Sequence, residues 1–171
     1  MVMWQLIQLM MTQGFACYQF TFGWLKIGYQ NNYIICLKKL AKPLPLDTKT
    51  ALTNLAFEQV KQYLAGQRQK FTFPYQLQGT AFQKKVWRQL QQIPYGQRCS
   101  YKDIAVRIGH PRSYRAVGNA NRRNPLLLVV PCHRVIGANG KLLGFAGGQA
   151  MQQALLNLES RVRTEYSSCA N

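Results

Sequence analysis

A cysteine becomes a strong nucleophile only when something takes its proton, because the thiolate rather than the thiol attacks. One cysteine in this chain has a base at the next position. Pro131-Cys132-His133-Arg134-Val135 closes an apolar run, 126–130, that itself follows Asn124-Pro125. The apolar run drives the backbone into the core and delivers Cys132 at its end. Pro131 fixes the dihedral of approach and so the direction of the sulfur. His133 and Arg134 offer a base and a positive environment. Glu159, one of only five acids in the chain, lies on a helix after Gly147-Gly148 and can orient the imidazole as the third member of a triad. A Cys-His pair by itself is usually a buried cysteine beside an incidental histidine. The flanking Pro131, the Arg134-Val135 pair and an Asn-Pro eight residues upstream of the cysteine set this one apart.

The charge balance says what such a nucleophile acts on. Lys and Arg number 22 against five Asp and Glu, a formal net charge of +17, which points to a polyanion, nucleic acid or an acidic membrane surface. The densest basic stretch is 98–123, where Arg98, Lys102, Arg107, Arg112, Arg115, Arg122 and Arg123 face the single acid Asp103. Such a stretch reads as a phosphate-tracking face. The apolar N-terminal segment is too short and too interrupted by Gln to span a bilayer, and it lacks the basic lead of a signal peptide. Cys17, Cys36, Cys99, Cys132 and Cys169 make an odd count without framework spacing, which fits a reducing compartment, so the expected location is the cytoplasm. With two histidines in the chain and one beside the cysteine, no zinc site is expected.

The elements that must position these residues fall into two kinds. In the first half, 15–22, 25–30 and 33–38 read as strands, with a hairpin turn at Gln30-Asn31-Asn32. Leu52, Leu55, Ala56, Val60 and Leu64 have helical spacing over 49–65, and Gly66 ends that helix. Residues 71–75 read as a last, edge strand because of Pro74, and 76–80 as a short linker. The second half turns to short helices. Thr80 caps a helix over 81–93, Pro94-Tyr95-Gly96-Gln97 turns the chain, and Ser100 caps a helix over 101–108 that Gly109 ends. A further helix over 113–122 takes the recognition position of a helix-turn-helix.

These residues together resemble the O6-alkylguanine-DNA alkyltransferases, also called methylated-DNA–protein-cysteine methyltransferases. The likeness runs in order and spacing from Gly79-Thr80-Ala81-Phe82 through Ser100-Tyr101, Arg115-Ala116-Val117-Gly118, Asn124-Pro125 and the Cys132 motif. It continues through Gly144-Phe145-Ala146-Gly147-Gly148 to Leu155-Leu156-Asn157-Leu158-Glu159. It covers about 79–160; residues 1–75 resemble the family only as a degenerate α/β domain. The resemblance implies an α+β fold. A small N-terminal α/β domain of ribonuclease-H-like kind (1–78) precedes a mainly helical, winged helix-turn-helix-like domain (79–163) that holds both DNA and the active site, with a flexible tail (164–171).

The function implied is DNA repair by direct, single-turnover transfer of a methyl or other alkyl group. It moves from O6-alkylguanine, with O4-alkylthymine left open, to the protein's own cysteine after the damaged base is flipped out. Cys132 is then the acceptor. His133 takes the thiol proton through a bound water, Glu159 holds the imidazole tautomer, and Tyr101 gives its hydroxyl proton to the guanine ring as the alkyl group leaves. Carbonyls of Cys132 and Val135 receive the guanine amino group. The Ala146 amide faces O6, Phe145 and Gly147 shape the pocket, and Asn124 braces the cysteine loop. Arg115 fills the space the base leaves, Ala116, Gly118 and Ala120 let the helix lie against the minor groove, and Arg122 and Arg123 contact the backbone. The partner is double-stranded DNA carrying the lesion, no cofactor is needed, and the protein acts as a monomer.

The sequence departs from the family at several points. Arg122 stands where glycine is frequent, which predicts a strained left-handed Arg122, or Asn121 in its place. Leu127 replaces proline, Phe145 tyrosine, and Ala146 often serine; helix 149–158 lacks the usual basic residues. Three other readings compete: a non-enzymatic protein that only binds alkyl lesions, a DNA-binding regulator whose Asn119 and Asn121 read adenine, and a Cys-His hydrolase. The first lacks the cysteine that stands here, the second leaves the Cys132 motif unexplained, and the third finds no oxyanion motif.

Overall fold

The computed structural model describes residues 12–168, with side chains as far as Val162; the N-terminal segment 1–11, with Trp4, and residues 169–171, with Cys169, lie outside them. Strands β1 (Gln13–Phe20), β2 (Gly23–Gln30) and β3 (Tyr33–Leu40) form an antiparallel meander in that order. Asn31 takes the left-handed conformation (φ 54°) that a tight hairpin demands. The first turn occupies 21–22, so β1 ends two residues earlier than its aromatic composition suggests. Period-two alternation sends Ala16, Leu25, Ile27 and Leu37 to one face. Helix α1 (Ala51–Leu64) packs there, opened by a reciprocal cap between Thr50 and Thr53. Its buried stripe is Thr53, Ala56, Gln59, Val60 and Tyr63, whereas Leu55 is 46% exposed. At about 100° per residue, Leu55 falls off the stripe that Ala56, Val60 and Tyr63 define. The expected strand at 71–75 shrinks to one bridge between Tyr75 and Ile34, in which Ile34 N–H donates to the Pro74 carbonyl and receives Gln76 N–H on its own.

The second half follows its caps closely. Helix α2 (Ala81–Leu90) opens at the Thr80–Gln83 capping box and α3 (Tyr101–Arg107) at the Ser100–Asp103 box. The turn after α3 uses Gly109 at φ +76°, and α4 (Tyr114–Arg122) follows, packed against both α2 and α3. The buried Trp87 indole of α2 donates to the Ala120 carbonyl of α4 at 2.8 Å, which fixes the recognition helix to the core. Two short strands, β4 (Cys99–Ser100) and β5 (Val135–Ile136), pair in parallel. Helix α5 (Gln149–Ser168) is the last of the described elements and reaches into the stretch expected as a tail from 164. The architecture is α+β: a sheet with one helix, then a mainly helical half with the helix-turn-helix. Among the described residues no helix is long and apolar enough to cross a membrane.

The two halves meet at β3. Leu37 N–H donates to the Pro125 carbonyl at 2.8 Å and Leu127 N–H to the Leu37 carbonyl at 3.0 Å. The apolar run therefore adds to the sheet edge, then turns sharply at Leu128, a buried leucine at φ 73°. A left-handed leucine costs about 1–2 kcal/mol. It is held by the sheet pairing before it and by Val130 N–H on the Leu126 carbonyl at 2.9 Å.

Candidate active site

Cys132 emerges from this turn at the start of a single 3-10 turn, Cys132–Arg134, with no exposed surface. Burial pushes its thiol up to about 12, although the Asn124 side chain and the amides of Cys132 and His133 pull the other way. At rest the sulfur is a thiol and needs a proton acceptor to react. Asn124 grips it: Nδ2 lies 2.9 Å from Cys132 Sγ and 2.8 Å from the Val130 carbonyl, while Oδ1 accepts Leu126 N–H at 2.9 Å. One side chain thus spans the loop before the cysteine and touches the sulfur itself.

His133 is fully buried and Nε2 stands 2.6 Å from Glu159 Oε1. An ionised carboxylate can only accept, so Nε2 carries the hydrogen and Nδ1 is the basic nitrogen. Among the described residues Nδ1 has no hydrogen-bond partner. Burial lowers the imidazole's affinity for a second proton, against the opposing pull of Glu159, so the ring is neutral.

Glu159 has zero exposure yet is ionised. Burial works to raise its carboxyl, but hydrogen bonds and charge from His133 and Arg134 hold it down at about 2. Arg134 Nε reaches Oε2 at 2.9 Å and Nη2 reaches Oε1 at 3.0 Å, and Gly96 N–H adds 2.8 Å to Oε2. Tyr63 Oη donates to Oε1 as well. The sequence offered Arg134 as a positive neighbour of the thiol; instead its guanidinium neutralises Glu159 and caps the Ile93 carbonyl at 2.6 Å.

Tyr101 sits at the first position of α3 and donates to the Leu143 carbonyl. Burial raises its phenol, with Cys132 contributing in the same direction and Arg122 and Asn121 opposing. Gly144 is left-handed (φ +74°), and a Cβ there would come within 3.0 Å of Tyr101 Oη, so both conformation and space require glycine. Tyr101, Arg115, Gly118, Arg122, Leu143 and Gly144 line one open groove of about 490 Å³ on the recognition face. Arg115, Ala116, Arg122 and Arg123 are exposed and Gly118 half-buried beside Tyr101. Cys132, itself unexposed, is near enough to Tyr101 of this groove to influence its phenol.

Of the other expected pocket residues, the Phe145 ring meets the His133 ring edge-on at 6.2 Å, Gly147 is packed under Phe145, and Ala146 is exposed. The Val135 carbonyl already accepts Gln152 Nε2 at 3.1 Å, and Asn121 Nδ2 lies 3.4 Å from the Cys132 carbonyl.

One expectation fails, and one competing reading loses its support. Arg122 is not strained: among the described non-glycine residues only Asn31, Leu46 and Leu128 have positive φ. The helix ends without a left-handed residue because Arg123 N–H returns to the Asn119 carbonyl at 3.1 Å and Asn124 N–H to that of Asn121 at 3.2 Å. Asn121 cannot read a base edge, since it is fully buried under the cysteine loop.

Sequence reasoning missed Tyr63, Gln152, Asn121 as a loop support, and Lys39, whose Nζ donates to the Gly147 carbonyl at 2.9 Å. Gln152 had a readable signal: it precedes Glu159 by two helical turns and shares its buried stripe.

The sequence matches the family described as 6-O-methylguanine DNA methyltransferase, DNA binding domain, over residues 81–161. It is 52% identical over 148 residues to an inducible methylated-DNA–protein-cysteine methyltransferase of Bacillus subtilis, covering 84% of this chain and 82% of that protein. A methylated-DNA–protein-cysteine methyltransferase of Methanosarcina barkeri is 51% identical over 104 residues, 61% of this chain; the match spans 66% of that relative's length. The fold superposes on the crystal structure of Mycobacterium tuberculosis OGT in complex with DNA with a TM-score of 0.79 at 38% identity, covering 86% of this chain and 93% of that one. An identity of 52% carried across both halves, not only across the DNA-binding segment, makes this chain a member of the methylated-DNA–protein-cysteine methyltransferase family.

Proposed function

We propose that the protein repairs DNA by moving the alkyl group of O6-alkylguanine onto Cys132, once per molecule. The observation that carries this reading is the series Cys132–His133–Glu159, set directly behind an exposed basic recognition helix. In this reading 79–163 form the DNA-binding and transfer unit and the residues up to 78 the unit that backs it.

The chemistry follows from the geometry. A methyl on O6 lies inside the base stack, and Cys132 lies below the surface, so the two meet only if the nucleotide rotates out of the duplex, at a cost of a few kcal/mol. Arg115, exposed on α4, fills the vacated stack, while the small Ala116 and Gly118 let the helix approach the minor groove. Arg122 and Arg123 hold phosphates, which positions the helix without reading sequence. In the groove the Tyr101 hydroxyl leaves the Leu143 carbonyl for the guanine ring nitrogen. The Ala146 amide faces O6, and the carbonyls of Cys132 and Val135 take the exocyclic amino group.

His133 Nδ1 then accepts the thiol proton through a bound water, and the imidazolium is stabilised by Glu159, which keeps its charge. The sulfur lone pair forms the S–C bond as the C–O6 bond breaks. Its electrons pass into the purine, which Tyr101 protonates, so guanine leaves neutral. The product thioether has no good leaving group, so the thiol is not regenerated. The protein is therefore consumed; in the same reading it works without a cofactor, as a monomer, on double-stranded DNA in the cytoplasm.

Duplex DNA labelled in the O6-methyl group tests this. Label should become covalently attached to protein and stop at about one methyl per chain. Continued release of repaired DNA under excess substrate would rule out single turnover, and no attached label would rule out transfer.

A further inference from the structure

The catalytic series is not confined to the helical half. Tyr63 lies on α1, the helix that backs the N-terminal sheet, and is 1% exposed. Its hydroxyl donates to Glu159 Oε1 and stands 3.3 Å from His133 Nε2, so it joins the carboxylate–imidazole contact from the N-terminal half. Its ring is fixed by Phe71, stacked at 5.3 Å, and by Tyr95 edge-on at 5.9 Å. We propose that Tyr63 is a positioning residue for alkyl transfer: by donating to Glu159 it limits how strongly that carboxylate holds the imidazole's proton, and so keeps His133 neutral with Nδ1 open to the thiol.

This role for Tyr63 rests on the transfer reaction proposed above and depends on how the donors to one carboxylate oxygen are balanced. Glu159 Oε1 is shared by His133, Arg134 and Tyr63. A carboxylate with fewer donors is a stronger base and stabilises an imidazolium more, which protonates His133 at rest and removes the base that Cys132 needs. Arg134 divides its donors between the two oxygens, Nε on Oε2 and Nη2 on Oε1, and gives its other terminal nitrogen to the Ile93 carbonyl, so a further donor to Oε1 comes from Tyr63. The ionisable groups facing this contact are Glu159 on α5, Arg134 on the 3-10 turn, Tyr63 on α1, and Tyr95, whose ring lies 5.5 Å from the Arg134 guanidinium. Of these only Tyr63 comes from the first half, and its phenol, pushed up by burial and then by Glu159, keeps its proton to donate. The 3.3 Å contact gives Nε2–H a weak second acceptor, so loss of the donation to Glu159 decides the sign.

Tyr63→Phe in the full chain tests the proposal by two readouts. The chain has two histidines, so nitrogen-15 histidine spectra of wild type and of a His110→Gln control assign His133. Tyr63→Phe should raise the pH at which His133 protonates by about one unit, the effect expected from losing one hydrogen bond to a charged group. The acid limb of single-turnover alkyl transfer should move up by a similar amount. A merely structural role lowers the melting temperature and leaves both unmoved, and that result overturns the proposal. If Tyr63→Phe does not fold, 3-fluorotyrosine placed at 63, a stronger donor of the same shape, should move His133 the opposite way; no movement again overturns it. If the wild-type protein transfers no alkyl group, the transfer reading fails, while the histidine titration still decides the role of Tyr63.

Discussion

Glu159 and Arg115 belong to the same helical half, and their charges are managed in opposite ways. Glu159 has no exposed surface, and four residues, Tyr63, Gly96, His133 and Arg134, donate to it. Arg115 is exposed on α4, its guanidinium 5.8 Å over the Tyr114 ring. A buried ion is tolerated only when every lone pair is met, so the Glu159 network can be altered only at a cost in stability. An exposed arginine is well solvated, costs the fold little and is available to a polyanion. On the function proposed here the two regions separate what holds the active site from what brings DNA to it, and substitutions should separate in the same way.

The largest effect is expected at Glu159. Glu159→Gln leaves the buried Arg134 guanidinium without its counter-charge and should cost about 3–5 kcal/mol of unfolding free energy, read by urea denaturation. A loss under about 1 kcal/mol would remove the contrast. The pH dependence has a definite sign. The Glu159 carboxyl sits at about 2 in the folded chain, below the roughly 4.3 of a free glutamate. Its contribution, on the order of 3 kcal/mol, is present above the ordinary value and is lost as pH falls through the folded one. His133, whose affinity for a proton burial depresses, acts in the same direction, because the unfolded chain takes up its proton first as pH falls below about 6.5. Acid unfolding of Glu159→Gln should lack the lower of these two steps.

Asn124→Ala comes next. It strips the cysteine loop of bonds to Val130, Leu126 and the sulfur, and should cost about 1–3 kcal/mol. Transfer should slow alike from duplex and from the free alkylated base, since the defect lies in the loop and not in base extrusion. A larger loss on duplex would place Asn124 on the DNA side of the division.

Which of these residues could be read in the sequence depended on whether the chemistry was local. Cys132 and His133 are neighbours, Glu159 is one of five acids, and the caps at Thr80 and Ser100 use residue types whose local hydrogen bonds define helix starts. Tyr63 left no such trace. On a buried helical stripe a tyrosine and a leucine serve the same period, and only the fold reveals where the hydroxyl goes. Asn121 misled for the related reason that polarity marks a hydrogen bond without naming its partner: on a basic helix it suggested a base, and it faces the cysteine loop. Leu128 carries no turn signal, since its left-handed conformation is imposed by pairing with β3, a contact between residues distant in sequence.

On the exposed face the expected effects are smaller and are not effects on folding. Arg115→Ala should leave the melting temperature in place and slow repair of duplex about tenfold, the loss of part of a base-extrusion cost of a few kcal/mol, while sparing the free base. Equal losses on both substrates would argue against its filling the stack. Arg122→Gly is the mildest. Arg122 is an unstrained helix-end residue at the rim of the groove, so its removal should lower the slope of log affinity against log salt by about 0.9, one phosphate on duplex DNA. Transfer from the saturated complex should hardly change. An unaltered slope would make Arg122 an ordinary solvated side chain.

The central claim is that a single buried sulfur receives the alkyl group. The direct measurement is peptide mass mapping after reaction with duplex DNA carrying O6-methylguanine, paired with the Cys132→Ser variant. The account predicts one added methyl, on the peptide containing Cys132, and none in the variant, with DNA affinity nearly intact because binding resides in the exposed arginines. A methyl found on Cys17, Cys36, Cys99 or Cys169, or one retained in Cys132→Ser, would contradict it.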